Sequence, residues 1–224
     1  MQVEIWSDVV CPWCYIGKRR FEAALADFEH RDEVEITWHS FELDRHAPTE
    51  RLGSYAEMLG RKYGMGPTQA DAALDNMTEA AARMGLEFHF DRVRPGNTLD
   101  AHRLLHLAQD RGVQGEMKER LLRAYFTEGE AISDRAVLTR MAADVGIDAD
   151  DVAAMFDGDG YTDEVRADEA AAEELQISGV PFFVIDRRYA VSGAQPPEAF
   201  TRAFERAWAD RVSPPTPARA GTTN

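Results

Sequence analysis

The stretch Val3-Glu4-Ile5-Trp6-Ser7-Asp8-Val9-Val10-Cys11-Pro12-Trp13-Cys14-Tyr15-Ile16 decides how this chain folds. Its first four residues alternate as a strand does. From Tyr15 to Phe28, Ile16, Phe21, Ala24, Leu25 and Phe28 recur at helical spacing, with Lys18, Arg19, Arg20 and Glu22 on a wet side. Between strand and helix stand the only two cysteines of the chain, with two residues between them. A C-x-x-C pair at a strand-to-helix junction is the local signature of a dithiol redox site.

At the mouth of that helix Cys11 faces unpaired backbone N–H groups and the positive end of the helix dipole. Both favour a thiolate, and such placement can take a thiol pKa from about 8.5 to roughly 3.5–7.5. Pro12 suits the first helical turn, where its missing N–H has no intrahelical partner to lose. The expectation is that Cys11 is the nucleophile and Cys14, one turn further in, the resolving thiol. Three plainer readings compete. Half a zinc site needs further ligands, and of the six histidines only His102 and His106 have the spacing of a pair. A structural disulfide here would close a negligible loop and stabilise little. A chance pair of buried thiols is the third.

The chain has 224 residues and a hydrophobic content of 44%, enough for one large domain or a domain carrying a big insertion. Its net charge of −15 disfavours nucleic acid and anionic membrane surfaces as partners. The N-terminus reads as strand with no basic and apolar leader, and no apolar run reaches 18 residues, so a cytoplasmic protein is expected. Disulfides there are usually transient and catalytic.

Residues 33–41 read as a second strand, with Val34, Ile36, Trp38 and Ser40 on one face. His39 points to the other, where a satisfied half-buried histidine is the plainer reading. From about 45 to 175 no strand pattern appears. Helices are expected near 54–63, 68–84, 97–111, 114–128, 134–145 and 149–156, with a short extended piece at 86–90. The stripe of Ala73, Met77, Ala80, Ala81 and Met84 reads as packing. Residues 148–174 hold eleven acids and one base, read as a solvated acidic helix face; Asp157-Gly158-Asp159-Gly160 fails the calcium-loop template because Tyr161 stands where the third acid should. Phe182–Ile185 and Tyr189–Ser192 then read as a hairpin, 197–210 as a last helix, and 211–224 as a disordered tail. The order is β-α-β, a helical insertion over the active-site end, then β-β-α.

Four passages carry a family resemblance: Ser7 to Cys14, Asn97-Thr98-Leu99-Asp100-Ala101-His102, Ser178-Gly179-Val180-Pro181-Phe182-Phe183, and Ser192-Gly193-Ala194-Gln195-Pro196. Together they resemble the DsbA-like branch of the thioredoxin superfamily, and most of all the FrnE-type dithiol–disulfide oxidoreductases, over about residues 1–210. The resemblance implies an α/β thioredoxin fold, residues 1–44 and 176–210, with a large all-α insertion domain, residues 45–175, between the second and third strands. It implies a cis Val180–Pro181 bond facing Cys11, with Pro12, Trp13, Val180 and Pro181 contacting substrate. A proline there donates no N–H, which leaves the Val180 backbone free to pair with an extended substrate strand. Asn97 and His102 match the family pattern as candidate cleft residues, although Asn97 also reads as a helix N-cap.

The activity so implied is thiol–disulfide exchange or isomerisation on disulfide-containing proteins or small thiols, as monomer or homodimer. No bound cofactor or metal is expected, and glutathione is a candidate redox partner. Trp13 replaces the histidine common in periplasmic relatives, and cannot stabilise a Cys11 thiolate as a histidinium does. The expected potential is therefore nearer to about −200 mV than to about −120 mV. Similar glutathione-dependent isomerases, the 2-hydroxychromene-2-carboxylate isomerase and kappa-class transferase type, carry a serine where Cys11 stands. That activity, and a non-catalytic chaperone or interaction role on the same scaffold, are the rival readings.

Overall fold

The computed structural model describes residues 1–51 and 53–212; the expected tail lies, beyond Val212, outside the described residues. Strand β1 (Gln2–Ser7) is buried between two neighbours. It pairs in parallel with β2 (Glu35–Ser40), Ile5 opposite Trp38, and antiparallel with β3 (Phe182–Ile185), Ile5 opposite Phe183. Strand β4 (Tyr189–Ser192) closes the order β2-β1-β3-β4. A parallel pair needs a crossover, and α1 (Pro12–Ala26) supplies it. The β3–β4 hairpin turns through the three residues Asp186–Arg188, with Asp186 and Arg187 both at positive φ (49° and 53°) and the Arg188 N–H bonded to Ile185 O at 3.0 Å.

Between β2 and β3 run seven helices, and no strand interrupts them among the described residues: α2 (Tyr55–Tyr63), α3 (Pro67–Ala82), α4 (Leu99–Asp110), α5 (Gln114–Arg123), α6 (Arg135–Asp144), α7 (Ala149–Asp157) and α8 (Thr162–Glu174). A wide turn, Ala124–Glu128, extends α5. Ser54 and Glu57 form a capping box on α2, and Asp134 and Asp148 cap α6 and α7. The chain closes with α9 (Pro197–Val212) against α1 and β4. No described helix is long and apolar enough to cross a membrane.

The extended piece at 86–90 lies outside the sheet, in keeping with the expectation of no strand there; Leu86 and Phe88 are buried in the helical lobe, and the His89 N–H bonds to Phe126 O at 2.8 Å. Two other expectations change. The acidic segment 148–174 is more than a solvated face. Asp168 and Glu169 of α8 are buried. Asp168 takes His39 Nδ1 at 2.6 Å, His106 Nε2 at 3.1 Å and the Ser40 N–H at 2.7 Å, and Glu169 meets Arg45 and Arg166. Buried carboxylates persist only when so paired. His39, stacked on Trp6 at 4.4 Å, is a half-buried histidine whose Nδ1 ties β2 to α8; it is not fully satisfied as expected, because its buried Nε2 makes no hydrogen bond and stands 3.5 Å from Glu4 Oε1.

The apolar interior has two main bodies, and α1 belongs to both. Phe21, Ala24 and Phe28 pack with Phe183, Phe200 and Phe204 between sheet and α9. Val9, Tyr15 and Ile16 pack with Leu104, Leu121, Phe126 and the rest of the helical lobe. The edge of β2 is closed by a side chain of α5: Gln114 Oε1 accepts the Trp38 N–H and Gln114 Nε2 donates to Trp38 O, both at 2.9 Å. That amide completes the ladder as a neighbouring strand would.

Candidate active site

Strand β1 stops at Ser7, and Asp8–Val10 turn the chain into α1. Cys11 is the N-cap residue, extended at φ −92° and ψ 114°, and Pro12 opens the helix. The Cys14 N–H bonds back to Cys11 O at 3.0 Å, which brings the two thiols onto one turn. Both are free and buried, 5% exposed at Cys11 and 1% at Cys14, while Trp13 between them is 41% exposed. Trp13 thus lies at the surface and not in the core.

The Val180–Pro181 bond is cis, as the resemblance implied, and the Cys11 thiol donates to Val180 O at 3.6 Å. Gly17, one turn into α1, permits this approach: a Cβ there would stand 2.8 Å from Pro181 Cγ and 3.5 Å from Ala194 Cα. Arg20 holds the same region through Ala194 O, and the Gly193 N–H bonds to Pro181 O at 2.8 Å. Beside Pro181 opens a cleft of about 330 Å³, lined by Gln176, Ser178, Gly179, Val180, Phe182, Ser192 and Gly193. Val180 and Pro181 thus line this cleft, with Cys11 against the Val180 carbonyl, while Pro12 and Trp13 are not among its lining residues.

The remaining two sequence candidates go elsewhere. Asn97 accepts the Leu99 N–H at 2.9 Å and donates to Ala47 O at 3.2 Å, which starts α4 and anchors the 44–51 loop. It lines a separate cavity of about 490 Å³ with Thr49, Asp100, Ser133 and Arg135. His102 is fully buried and acts below the surface, with Nε2 3.2 Å from Asp8 Oδ1.

Asp8 is the buried hub of the site, and the sequence reading assigned it no role. Its Oδ1 also faces the Val10 N–H at 3.4 Å, and its Oδ2 accepts the Leu43 N–H at 2.8 Å. Burial pushes the carboxyl up, but the hydrogen bond and charge of His102 outweigh it and hold Asp8 below its ordinary value. Beside it Lys118 of α5 is fully buried, donates to Ser7 O at 3.1 Å and sits 5.5 Å from the centre of the Trp38 ring. Burial lowers it to about 8.

The two thiols are shifted in opposite directions. Its hydrogen bond to Cys14, then burial, push the Cys11 thiol well up. Burial also works against a Cys14 thiolate, but the hydrogen bond from Cys11 and the positive charge of Lys118 more than offset it and hold Cys14 below its ordinary value. The Cys11 thiol lies against Cys14 and the Val180 carbonyl. Lys118 was legible only as a lysine on an apolar stripe, four residues after Gln114 and three before Leu121.

The profile of the DSBA-like thioredoxin domain matches residues 2–205, nearly the whole chain. The chain belongs to this DsbA-like family. Among solved structures it is similar to a probable DsbA oxidoreductase, SCO1869 of Streptomyces coelicolor, at 46% identity and a TM-score of 0.91, covering 98% of this chain and 94% of that one. Among curated proteins it is 29% identical over 206 residues to the uncharacterized protein YwbO of Bacillus subtilis (strain 168), covering 91% of this chain and 96% of that one. The cytosolic disulfide reductase DsbM of Pseudomonas aeruginosa shares the DsbA-like fold at 18% identity and a TM-score of 0.66, covering 95% of this chain and all of that one.

Proposed function

We propose that the protein is a cytoplasmic thiol–disulfide oxidoreductase that exchanges disulfides through Cys11 and Cys14. The observation that carries this reading is the dithiol at the start of α1, with Cys11 against Val180 O beside an open cleft of main chain. Cys11 gives up its proton to solvent. The Cys11 thiolate attacks one sulfur of a substrate disulfide, a mixed disulfide forms and one substrate thiolate leaves. Cys14 then loses its proton and attacks Cys11 Sγ, releasing the second substrate thiol and leaving a Cys11–Cys14 disulfide. Two electrons pass from protein to substrate, and the reverse sequence oxidises a dithiol substrate.

The substrates are disulfide-containing proteins or small thiols, with glutathione as a redox partner. Exposed Trp13 and the main chain of Ser178–Val180 suit an extended peptide, read largely through backbone hydrogen bonds. Cys14→Ser should trap covalent complexes on exposure to oxidised glutathione or a disulfide-bonded protein, and Cys11→Ser should not. Equal trapping by the two variants would refute these roles.

A further inference from the structure

Among the described residues, four other than glycine hold a positive φ: Tyr161 at 64°, Gln176 at 58°, Asp186 at 49° and Arg187 at 53°. An L side chain takes that conformation at a cost, which the surroundings must offset. For three of them the offset is visible. The Tyr161 hydroxyl donates to Asp110 Oδ2 at 2.8 Å, Asp186 Oδ1 accepts the Gln2 N–H at 2.8 Å, and Arg187 grips both carboxylate oxygens of Glu4 at 3.1 Å. Gln176 differs. Its side chain is exposed, and among the described residues its carboxamide takes no hydrogen-bond partner.

Its place in the chain sharpens the contrast. The Gln176 N–H bonds to Glu173 O at 3.0 Å and the Ile177 N–H to Ala172 O at 2.8 Å, the paired bonds of a helix that stops on a left-handed residue. Glycine is the usual residue there. This chain uses it with the same two bonds at Gly85 after α3, Gly112 after α4 and Gly146 after α6, at φ 72°, 73° and 84°. After α8 a long side chain stands in that place instead. Ile177, buried with Trp6 and Val184, fixes the end of the helix. Gln176 thereby lines the cleft beside Pro181, where the Cys11 thiol meets Val180 O at 3.6 Å. No titratable side chain lines that cleft; its polar side chains are Gln176, Ser178 and Ser192.

We propose that Gln176 is a specificity-determining residue: its carboxamide hydrogen-bonds a main-chain peptide group of the substrate beside the substrate's cysteine, and so favours peptide disulfides over small disulfides that carry no amide. The inference rests on the exchange reading above. A carboxamide donates and accepts as a peptide group does, so one glutamine matches the N–H or the C=O of an extended strand whatever its side chains are. The selectivity is for backbone, not for sequence. A long side chain on a left-handed helix end is a poor choice for stability, and chains keep such exceptions where function needs them. Gln176 makes no covalent bond and moves no proton, so the exchange steps are unchanged.

The test compares wild type with Gln176→Gly and Gln176→Met. Each reduced protein is mixed with two oxidants, the disulfide dimer of acetyl-Ala-Cys-Ala-amide and bis(2-hydroxyethyl) disulfide, and the second-order rate of protein thiol loss is followed by alkylation and mass. Gln176→Gly should react about fivefold more slowly with the peptide disulfide, the factor of one neutral hydrogen bond, and at the wild-type rate with the hydroxyethyl disulfide. Glycine takes φ 58° without strain, so this variant should melt no lower than wild type. Gln176→Met keeps the length of the side chain without its amide, and should lose the same fivefold on the peptide. A wild-type peptide rate in either variant overturns the proposal. So does equal slowing with both disulfides, which would place the effect in the dithiol, or a lower melting temperature of Gln176→Gly, which would make the side chain structural. A wild type that reacts with neither disulfide removes the exchange reading and this proposal with it; variants that match a reactive wild type remove this proposal alone.

Discussion

Replacing Asp8 by Ala should destabilise the reduced protein by about 4 kcal/mol at pH 7. The carboxylate accepts from Leu43 N–H at 2.8 Å and from His102 Nε2 at 3.2 Å; the Val10 N–H at 3.4 Å adds little. Leaving a buried donor unpaired costs about 1–3 kcal/mol, and two such donors bracket roughly 2–6 kcal/mol. Lys118 also loses the favourable charge of Asp8, which places the value toward the upper half of that range. Asp8→Asn keeps one acceptor oxygen but turns an NH₂ toward existing donors, so about half the loss should remain. The pH dependence has a definite sign. The folded-state carboxyl is held below its ordinary value of 3.8, so ionised Asp8 contributes stability above that pH and loses it as pH falls through the folded value. The gap between wild type and Asp8→Asn should therefore be full near pH 7 and narrow below pH ~4. Urea unfolding with the thiols kept reduced measures it. A loss under ~1 kcal/mol for Asp8→Ala, or a gap that widens as the solution is acidified, would refute Asp8 as the hub beneath the dithiol.

Three further outcomes are expected. Gly17→Val should displace the Pro181 loop, lowering the exchange rate with protein substrates at least tenfold and the stability by about 1–3 kcal/mol through overpacking, read by insulin reduction and thermal melts; an unchanged rate would separate the loop position from catalysis. Glu119→Gln should cost about 1–2 kcal/mol, less in high salt. Burial pushes Glu119 up, but Arg19 and Lys18 lower it to about 2, so that contribution holds at neutral pH and should disappear as pH falls from about 4.5 toward 2; urea titration at several pH values follows it. Asp168→Asn should loosen α8 from β2 by about 2–4 kcal/mol and quench or shift the fluorescence of Trp6, whose Nε1 donates to Asp168 O at 3.0 Å; a variant with wild-type stability would contradict the His39–Asp168–His106 bridge.

Much of this fold is written in local pattern. The alternation through Val3–Trp6, the helical spacing of Ile16, Phe21 and Phe28, and the hairpin around Asp186-Arg187 are short-range signals, and each formed the expected element. The dithiol is contiguous as well, whereas its approach to Val180 and Pro181 was carried by the family resemblance, not by local pattern. What escaped notice is long-range. Asp8, Lys118 and His102 meet only after three separate segments converge, and no spacing rule links positions 8, 102 and 118. A helix N-terminus is visible in sequence, whereas a lysine arriving from a distant helix is not. Likewise Asp168 and Glu169 resemble their solvated neighbours in composition, and only their histidine and arginine partners mark them as interior.

The redox helix α1 lies at the junction of two apolar bodies, and this bears on how the chain could be taken apart. Val9, Tyr15 and Ile16 are each at most 2% exposed, and what covers them is the helical lobe. A shortened protein retaining only the four strands, α1 and α9 would bare these three side chains at the lip of the dithiol and strip Gln114 from the edge of β2. The inserted helices are therefore not an attachment that can be deleted or exchanged for those of a relative. Any graft must carry over the surface that meets Tyr15 and Ile16, or the minimal catalyst will self-associate through its own active-site face.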